Sequence, residues 1–346
     1  MKKINRFKMM LPLSISLILS SCNTSKVDVS LFIYNKKDTF IYSLQQEIEK
    51  SLVKQNYTYK TYDAELSQII QNENIIDTID DESSKILLIN PVDRLSASAI
   101  IEKAANKQTP VIFFNREPLT ADIEKGREKN KNLFYVGTDP TFEGETQAKM
   151  LENLFGNPKS LSSDYDKNGD NKIQMVMIKG EIGHQDTERR SQAVLNYLSN
   201  KGYQVEVLTS TYCNWSRETA YENIQDIIRD YGDKIEVIVS NNDDMAIGAI
   251  DYLLEKEIFS KDESKQAYPI VGVDGTSIGQ SYVKEGLLYG SVINEGEKQA
   301  ETIIALAKYL LEGKTIDDTF PYETSNGYTF YVEGKGLTKE DFVENK

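Results

Sequence analysis

Two short runs, Lys85-Ile-Leu-Leu-Ile-Asn90 and Pro110-Val-Ile-Phe-Phe-Asn115, flank a helix-like segment at Ala97–Asn106, and their reading decides the fold. A continuous apolar run of this length reads as a strand buried on both faces, as in a parallel sheet covered by helices. The same alternation continues outward. Upstream, Val27–Tyr34 reads as a strand, and Phe40–Gln55 as a helix with Phe40, Leu44, Ile48 and Leu52 on one face. Downstream of Val136-Gly137-Thr138-Asp139 come a helix at Phe142–Leu154, a polar stretch at 157–172, a strand at Ile173–Lys179 and a helix bearing Ala193, Val194, Tyr197 and Leu198. Strands at Tyr203–Leu208, Ile235–Ser240, Pro269–Val273 and Leu288–Ile293 then alternate with helices at 216–231, 243–255, 277–285 and Glu297–Leu311. Alternating β and α over this length predicts an α/β fold with parallel sheets. There are too many strands for one domain, so two doubly wound, Rossmann-like lobes are expected.

Ligands of such sheets sit beyond the carboxyl ends of the strands. Five strand ends here carry Asn or Asp: Asn90, Asn115, the run Asn241-Asn242-Asp243, Asp274 and Asn294. One such residue is an ordinary turn former. Five place donors and acceptors along one rim, a chemistry suited to a neutral polyol rather than a phosphate or a metal cluster.

The N-terminus gives the compartment. Lys2, Lys3, Arg6 and Lys8 precede an apolar run from Met9 to Leu19, too short to span a bilayer, and Leu19-Ser20-Ser21-Cys22 follows. This reads as a signal peptide over 1–21 and a polar tether over 22–27, and the four residues resemble the lipobox of bacterial lipoproteins. That resemblance implies cleavage before Cys22 and a diacylglycerol on its sulfur. With Cys22 acylated, Cys213 has no intrachain partner, so a hydrophobic core must hold the fold. Removing residues 1–21 takes away four basic residues and no acids, leaving 36 basic against 54 acidic and a net charge of −18. That balance argues against nucleic acid and anionic membrane surfaces as partners. The body is expected to be extracytoplasmic, monomeric and held to the membrane only by its lipid.

Seven blocks occur in order: VIFFNREP (111–118), FYVGTD (134–139), DKNGDNKIQ (166–174), IKGEIGHQDTERR (178–190), IEVIVSNNDDMAIGA (235–249), GVDG (272–275) and GSVIN (290–294). Together they resemble the galactose/glucose-binding proteins that feed ABC sugar importers and, in some bacteria, chemoreceptors. The resemblance covers essentially the whole mature chain. It implies the type I periplasmic binding protein fold, with lobe 1 at 28–136 plus 295–325 and lobe 2 at 137–294 plus 326–346. The lobes would be joined by crossings near Val136–Asp139, Val292–Glu295 and 325–330. It nominates Asp38, Asn115, His184, Asp186, Arg190, Asn242, Asp274 and Asn294 as hydrogen-bonding partners of a sugar, with Phe40 and Trp215 on the two ring faces. Such a set is chemically sound, because aromatic rings suit the C–H faces of a pyranose while carboxylates and a forked guanidinium suit its hydroxyls. Departures are Ile182 in place of the usual Pro, Asp244 after the Asn-Asn-Asp run, and a loosely matching tail.

The block at 166–174 also follows the start of an EF-hand loop. Asp166, Asn168 and Asp170 stand at positions 1, 3 and 5, Lys172 at 7 through its carbonyl, and Gln174 at 9. Position 6 is Asn171 instead of Gly, and position 12 is Met177, so no local Glu closes the loop. The resemblance implies that Glu236 closes it and that the ion is a structural Ca²⁺.

Three other readings are weighed. An enzyme is disfavoured because G-x-S-x-G, H-E-x-x-H and a strand-end G-x-G-x-x-G are missing, and Gly313-Lys314-Thr315 lacks the first Gly of a P-loop. A sugar-responsive repressor needs an N-terminal helix-turn-helix and a basic surface. A binding protein for ribose or a furanose remains the third.

Overall fold

The computed structural model describes residues 26–260, 268–317 and 319–342. The signal, lipobox and Cys22 readings lie outside these residues. The first lobe is built on β1 (Val27–Ile33), β2 (Tyr59–Asp63), β3 (Ser84–Ile89), β4 (Val111–Phe114) and β5 (Leu133–Gly137), interleaved with α1 (Thr39–Lys54), α2 (Gln68–Asp80), α3 (Ala97–Lys107) and α4 (Thr120–Arg127). After α5 (Pro140–Phe155) and the small hairpin β6 (Gly156–Asn157) and β7 (Ser160–Leu161), the second lobe follows. It holds β8 (Ile173–Lys179), α6 (Gln185–Asn200), β9 (Val205–Tyr212), α7 (Arg217–Tyr231), β10 (Val237–Ser240), α8 (Asp243–Glu255), β11 (Ile270–Asp274), α9 (Ser277–Glu285) and β12 (Gly290–Ile293). Helix α10 (Gly296–Leu311) returns to pack on α1, and β13 (Thr329–Tyr331) and β14 (Lys335–Thr338) end the chain.

Two six-stranded sheets result, ordered β13-β5-β4-β3-β1-β2 and β14-β12-β11-β10-β8-β9. Within these two sheets every pairing is parallel except β14 on β12. The central strands are buried on both faces, as their apolar runs require: Leu87, Leu88, Ile89, Val111, Ile112 and Phe113 have no exposed surface. The first sheet has one continuous apolar core, and the second is covered on each face by its own cluster.

The chain passes between the sheets three times: after β5, after β12 and between β13 and β14. The third passage was expected at 325–330. It falls instead at Val332–Gly334, because Thr329–Tyr331 pairs with Tyr135–Gly137 as a parallel edge strand of the first sheet. The sequence reading also passed over β2, α2, α4, β5, β13 and β14 as elements.

Candidate functional site

The cleft between the sheets closes over a small cavity. Nine of the ten nominated residues line it: Asp38, Phe40, Asn115, His184, Asp186, Arg190, Trp215, Asn242 and Asp274. Tyr34, Ile41 and Arg116 complete the wall. Asn294 does not line it. Asn294 is buried behind Asp274, donating from Nδ2 to Asp274 Oδ1 at 3.5 Å and accepting at its Oδ1 from Gln299 Nε2 at 2.6 Å.

Helix starts hold much of the wall. Asp38 caps α1, its Oδ1 accepting from the Ile41 amide at 2.9 Å, while its Oδ2 takes the Tyr34 hydroxyl at 2.5 Å. Asn242 caps α8 by accepting from the Met245 amide at 2.9 Å, which leaves its NH₂ for the cavity. His184 caps α6 with an unusual acceptor: Nδ1 takes the Asp186 amide at 3.1 Å. That bond assigns the ring proton to Nε2, so the neutral ring is a donor. Burial, and after it the charges of Arg116 and Arg190, hold this histidine well below its ordinary pKa, so it stays uncharged at neutral pH. Asn115 accepts at Oδ1 from Asn90 Nδ2 at 3.1 Å, which again directs an NH₂ outward.

Arg190 is almost fully buried and held on three sides. Nε donates to Glu143 at 2.6 Å, Nη1 to the Asn241 carbonyl at 2.8 Å and Nη2 to Asp186 at 3.3 Å. Glu143, absent from the sequence reading, is itself fixed by the Thr138 hydroxyl at 2.8 Å. Asp186 is raised to about 6 by burial, with Arg190 pulling down and Glu143 pushing up. Burial likewise raises Asp274 and Asp38. Three buried carboxylates, each with acceptor capacity left over, thus share the wall with four donor groups, an arrangement that pairs with hydroxyls able to give and accept.

One aromatic comes from each lobe, Phe40 from α1 and Trp215 from the β9–α7 loop. Trp215 stands at φ +63° after Asn214 at +49°, and Asn115 and Asp274 also have positive φ, at +58° and +118°. Strained backbone concentrated around a cleft is a common mark of ligand clamps. His184 meets the indole edge-on at 5.0 Å, and Gly180 lies against the ring, where an added Cβ would sit 2.3 Å from its carbons.

The loop at 166–174 is organised from within. Asp166 accepts from the amides of Gly169 and Asn171, Asn168 from that of Asp170, and Asp170 from that of Lys172. Asn171 takes the left-handed conformation at φ +59° that a Gly would otherwise supply. Glu236 reaches in from beside β10, accepting from the amides of Lys167 at 2.7 Å and Gln174 at 3.1 Å. Gln174 Oε1 is buried with no hydrogen-bond donor among the described residues. An oxygen left in that state, beside carboxylates, fits a hard cation. Among the described residues no three His, Cys, Asp or Glu side chains close into a cage, so amide and backbone oxygens would have to share the coordination.

Comparison with known proteins is decisive for the family. The periplasmic binding protein domain matches residues 29–315. The chain belongs to the periplasmic binding protein family. This binding protein is 32% identical over 297 residues to the D-galactose/methyl-galactoside binding periplasmic protein MglB of Haemophilus influenzae, spanning 85% of each chain. It is 22% identical to the ribose import binding protein RbsB of Bacillus subtilis, spanning 87% of each. Among solved structures, a periplasmic solute-binding protein from Actinobacillus succinogenes with bound D-allose superposes with a TM-score of 0.76 at 20% identity, covering 93% of this chain and 100% of that one. The fold is therefore that of type I periplasmic binding proteins, and the chain is an extracytoplasmic binding protein, not an enzyme. Among the described residues no helix is long and apolar enough to cross a membrane.

Proposed function

We propose that this binding protein captures D-galactose or D-glucose outside the cytoplasm and presents it to the permease of an ABC importer. One observation carries the reading: a single cavity gathers Asp38, Asp186 and Asp274 as acceptors, Arg190, His184, Asn115 and Asn242 as donors, and one aromatic ring from each lobe. The likeness to MglB supports a hexose. Each buried group left unpaired by a wrong sugar costs about 1–3 kcal/mol, which is how such a cavity discriminates.

Calorimetric titration of the calcium-loaded protein against D-galactose, D-glucose and D-ribose tests this. Saturable binding of either hexose, lost in Trp215→Ala, is the expected result. Heat with ribose alone would leave the receptor standing and overturn the hexose. The reading extends to the anchor, with Cys22 carrying a diacylglycerol in the mature protein; Cys22→Ser is expected to release the protein from membranes into the soluble fraction. It extends also to the loop at 166–174, with Asp166, Asn168, Asp170, Gln174 and Glu236 supplying side-chain oxygens and Lys172 its carbonyl to a structural Ca²⁺.

A further inference from the structure

Asp244, the second residue of α8, does not line the cavity but stands at its outer mouth. Its carboxylate serves two partners. Oδ1 accepts from Arg217 Nη2 at 2.6 Å, within the second lobe. Oδ2 accepts from the Thr39 hydroxyl, in the first lobe. Thr39 opens α1 and lies between Asp38 and Phe40, both of which face the cavity.

The second-lobe half of this contact is built in advance. Gly248 lies one turn beyond Asp244 on α8, and a Cβ there would fall 2.1 Å from the Arg217 carbonyl oxygen. The start of α7 is therefore pressed onto α8, which holds Arg217 beside Asp244. Thr39 can reach that prepared acceptor only when the cleft is shut. Among the described residues, Arg116 with Glu181 at 3.0 Å and Gln185 with Glu117 at 2.7 Å also bridge the lobes. The Asp244 contact differs in that its first-lobe partner is flanked on both sides by cavity residues.

We propose that Asp244 is a positioning residue that sets sugar affinity by holding the Asp38–Phe40 segment against the second lobe through Thr39. The proposal rests on the hexose reading above. An acidic residue in a first helical turn also favours its own helix through the dipole. That role acts within the second lobe and is blind to Thr39. A contact made only in the closed state shifts the open–closed balance by its own differential stability, and it appears in the dissociation rate.

The test is a double-variant cycle on the purified protein, using stopped-flow Trp215 fluorescence with D-galactose and D-glucose. Asp244→Ala and Thr39→Val are each expected to raise the dissociation rate about ten-fold, the effect of losing one charge-assisted hydrogen bond, with the association rate little changed. The double variant should be no worse than Asp244→Ala. Additive effects, or a loss confined to Asp244→Ala, would overturn the proposal. Small-angle scattering of the sugar-free proteins runs alongside, where both variants should be more expanded than wild type. If wild type takes up neither hexose, the sugar reading fails and scattering alone decides: equal dimensions in all three proteins would sink the latch.

Discussion

Gly180 shows how closely one residue can depend on another far along the chain. Its missing side chain is the space in which the Trp215 ring lies. Gly180→Ala is expected to rotate or expel that ring and to weaken hexose binding at least about ten-fold, read by calorimetry, while the melting temperature changes little. Asp186 makes a prediction about pH. Its folded pKa, about 6, lies above the ordinary 3.8 because burial disfavours the charged form. The folded state therefore holds a proton that the unfolded state has lost between about pH 4 and pH 6, so this group lowers sugar-free stability as pH rises through that window. Sugar hydroxyls donating to the carboxylate favour its ionised form. Binding near pH 5 should release protons, measured as heats that differ between buffers of different ionisation enthalpy, and affinity should rise toward pH 7. Asp186→Asn should make both effects smaller. At this scale the sequence was legible where a polar residue ended an apolar run, as at Asn115, Asn242 and Asp274. It was silent on Glu143, whose role depends on Arg190, 47 residues away.

Several of the elements passed over have weak patterns for identifiable reasons. β2 is an edge strand with no fully buried residue, so Tyr-Lys-Thr-Tyr-Asp never needed an apolar run. α4 buries only Ile123 and Gly126, and β14 is four residues long at a sheet edge. The loop at 166–174 was legible because its alternate oxygens stand in the sequence, and Asn171 adopts the backbone conformation that position requires. If it takes Ca²⁺, the ion binds the folded lobe alone and stabilises it by mass action. Scanning calorimetry with calcium against chelator should then show a rise of several degrees at saturating ion, about 2.7 kcal/mol at a hundred-fold excess over Kd. Gln174→Ala, which removes the unpartnered oxygen, should reduce the rise. An equal melting temperature with and without calcium would withdraw the ion.

For the whole molecule, neither lobe is a continuous piece of chain. The first sheet needs β13 from the far end, where Phe330 is buried against Phe134 and Phe320. Deleting the chain beyond residue 325 removes that strand and leaves a buried aromatic's site empty, a loss of about 3–5 kcal/mol for the ring alone. The shortened protein should melt lower and be cut by protease first within residues 28–136, with fragments read by mass spectrometry. The two-lobe plan was visible in the sequence because it follows from counting strands. The third passage was misplaced because the choice of sheet for a three-residue strand is made by tertiary pairing, which no local pattern records.

The return of the tail to the first sheet also sets an order in time. Strands β8 to β12 of the second lobe lie together between residues 173 and 293, whereas the first lobe waits for α10 and then for Thr329–Tyr331. As the chain leaves the ribosome, neither sheet is complete until its last strand emerges, β13 for the first and β14 for the second, so the lobe that starts first is not finished first as in the usual N-terminal-first progression. A nascent chain whose front half stays open until nearly its final residues is in the extended condition that threading through a secretion pore demands, and it reaches its finished form only on the far side.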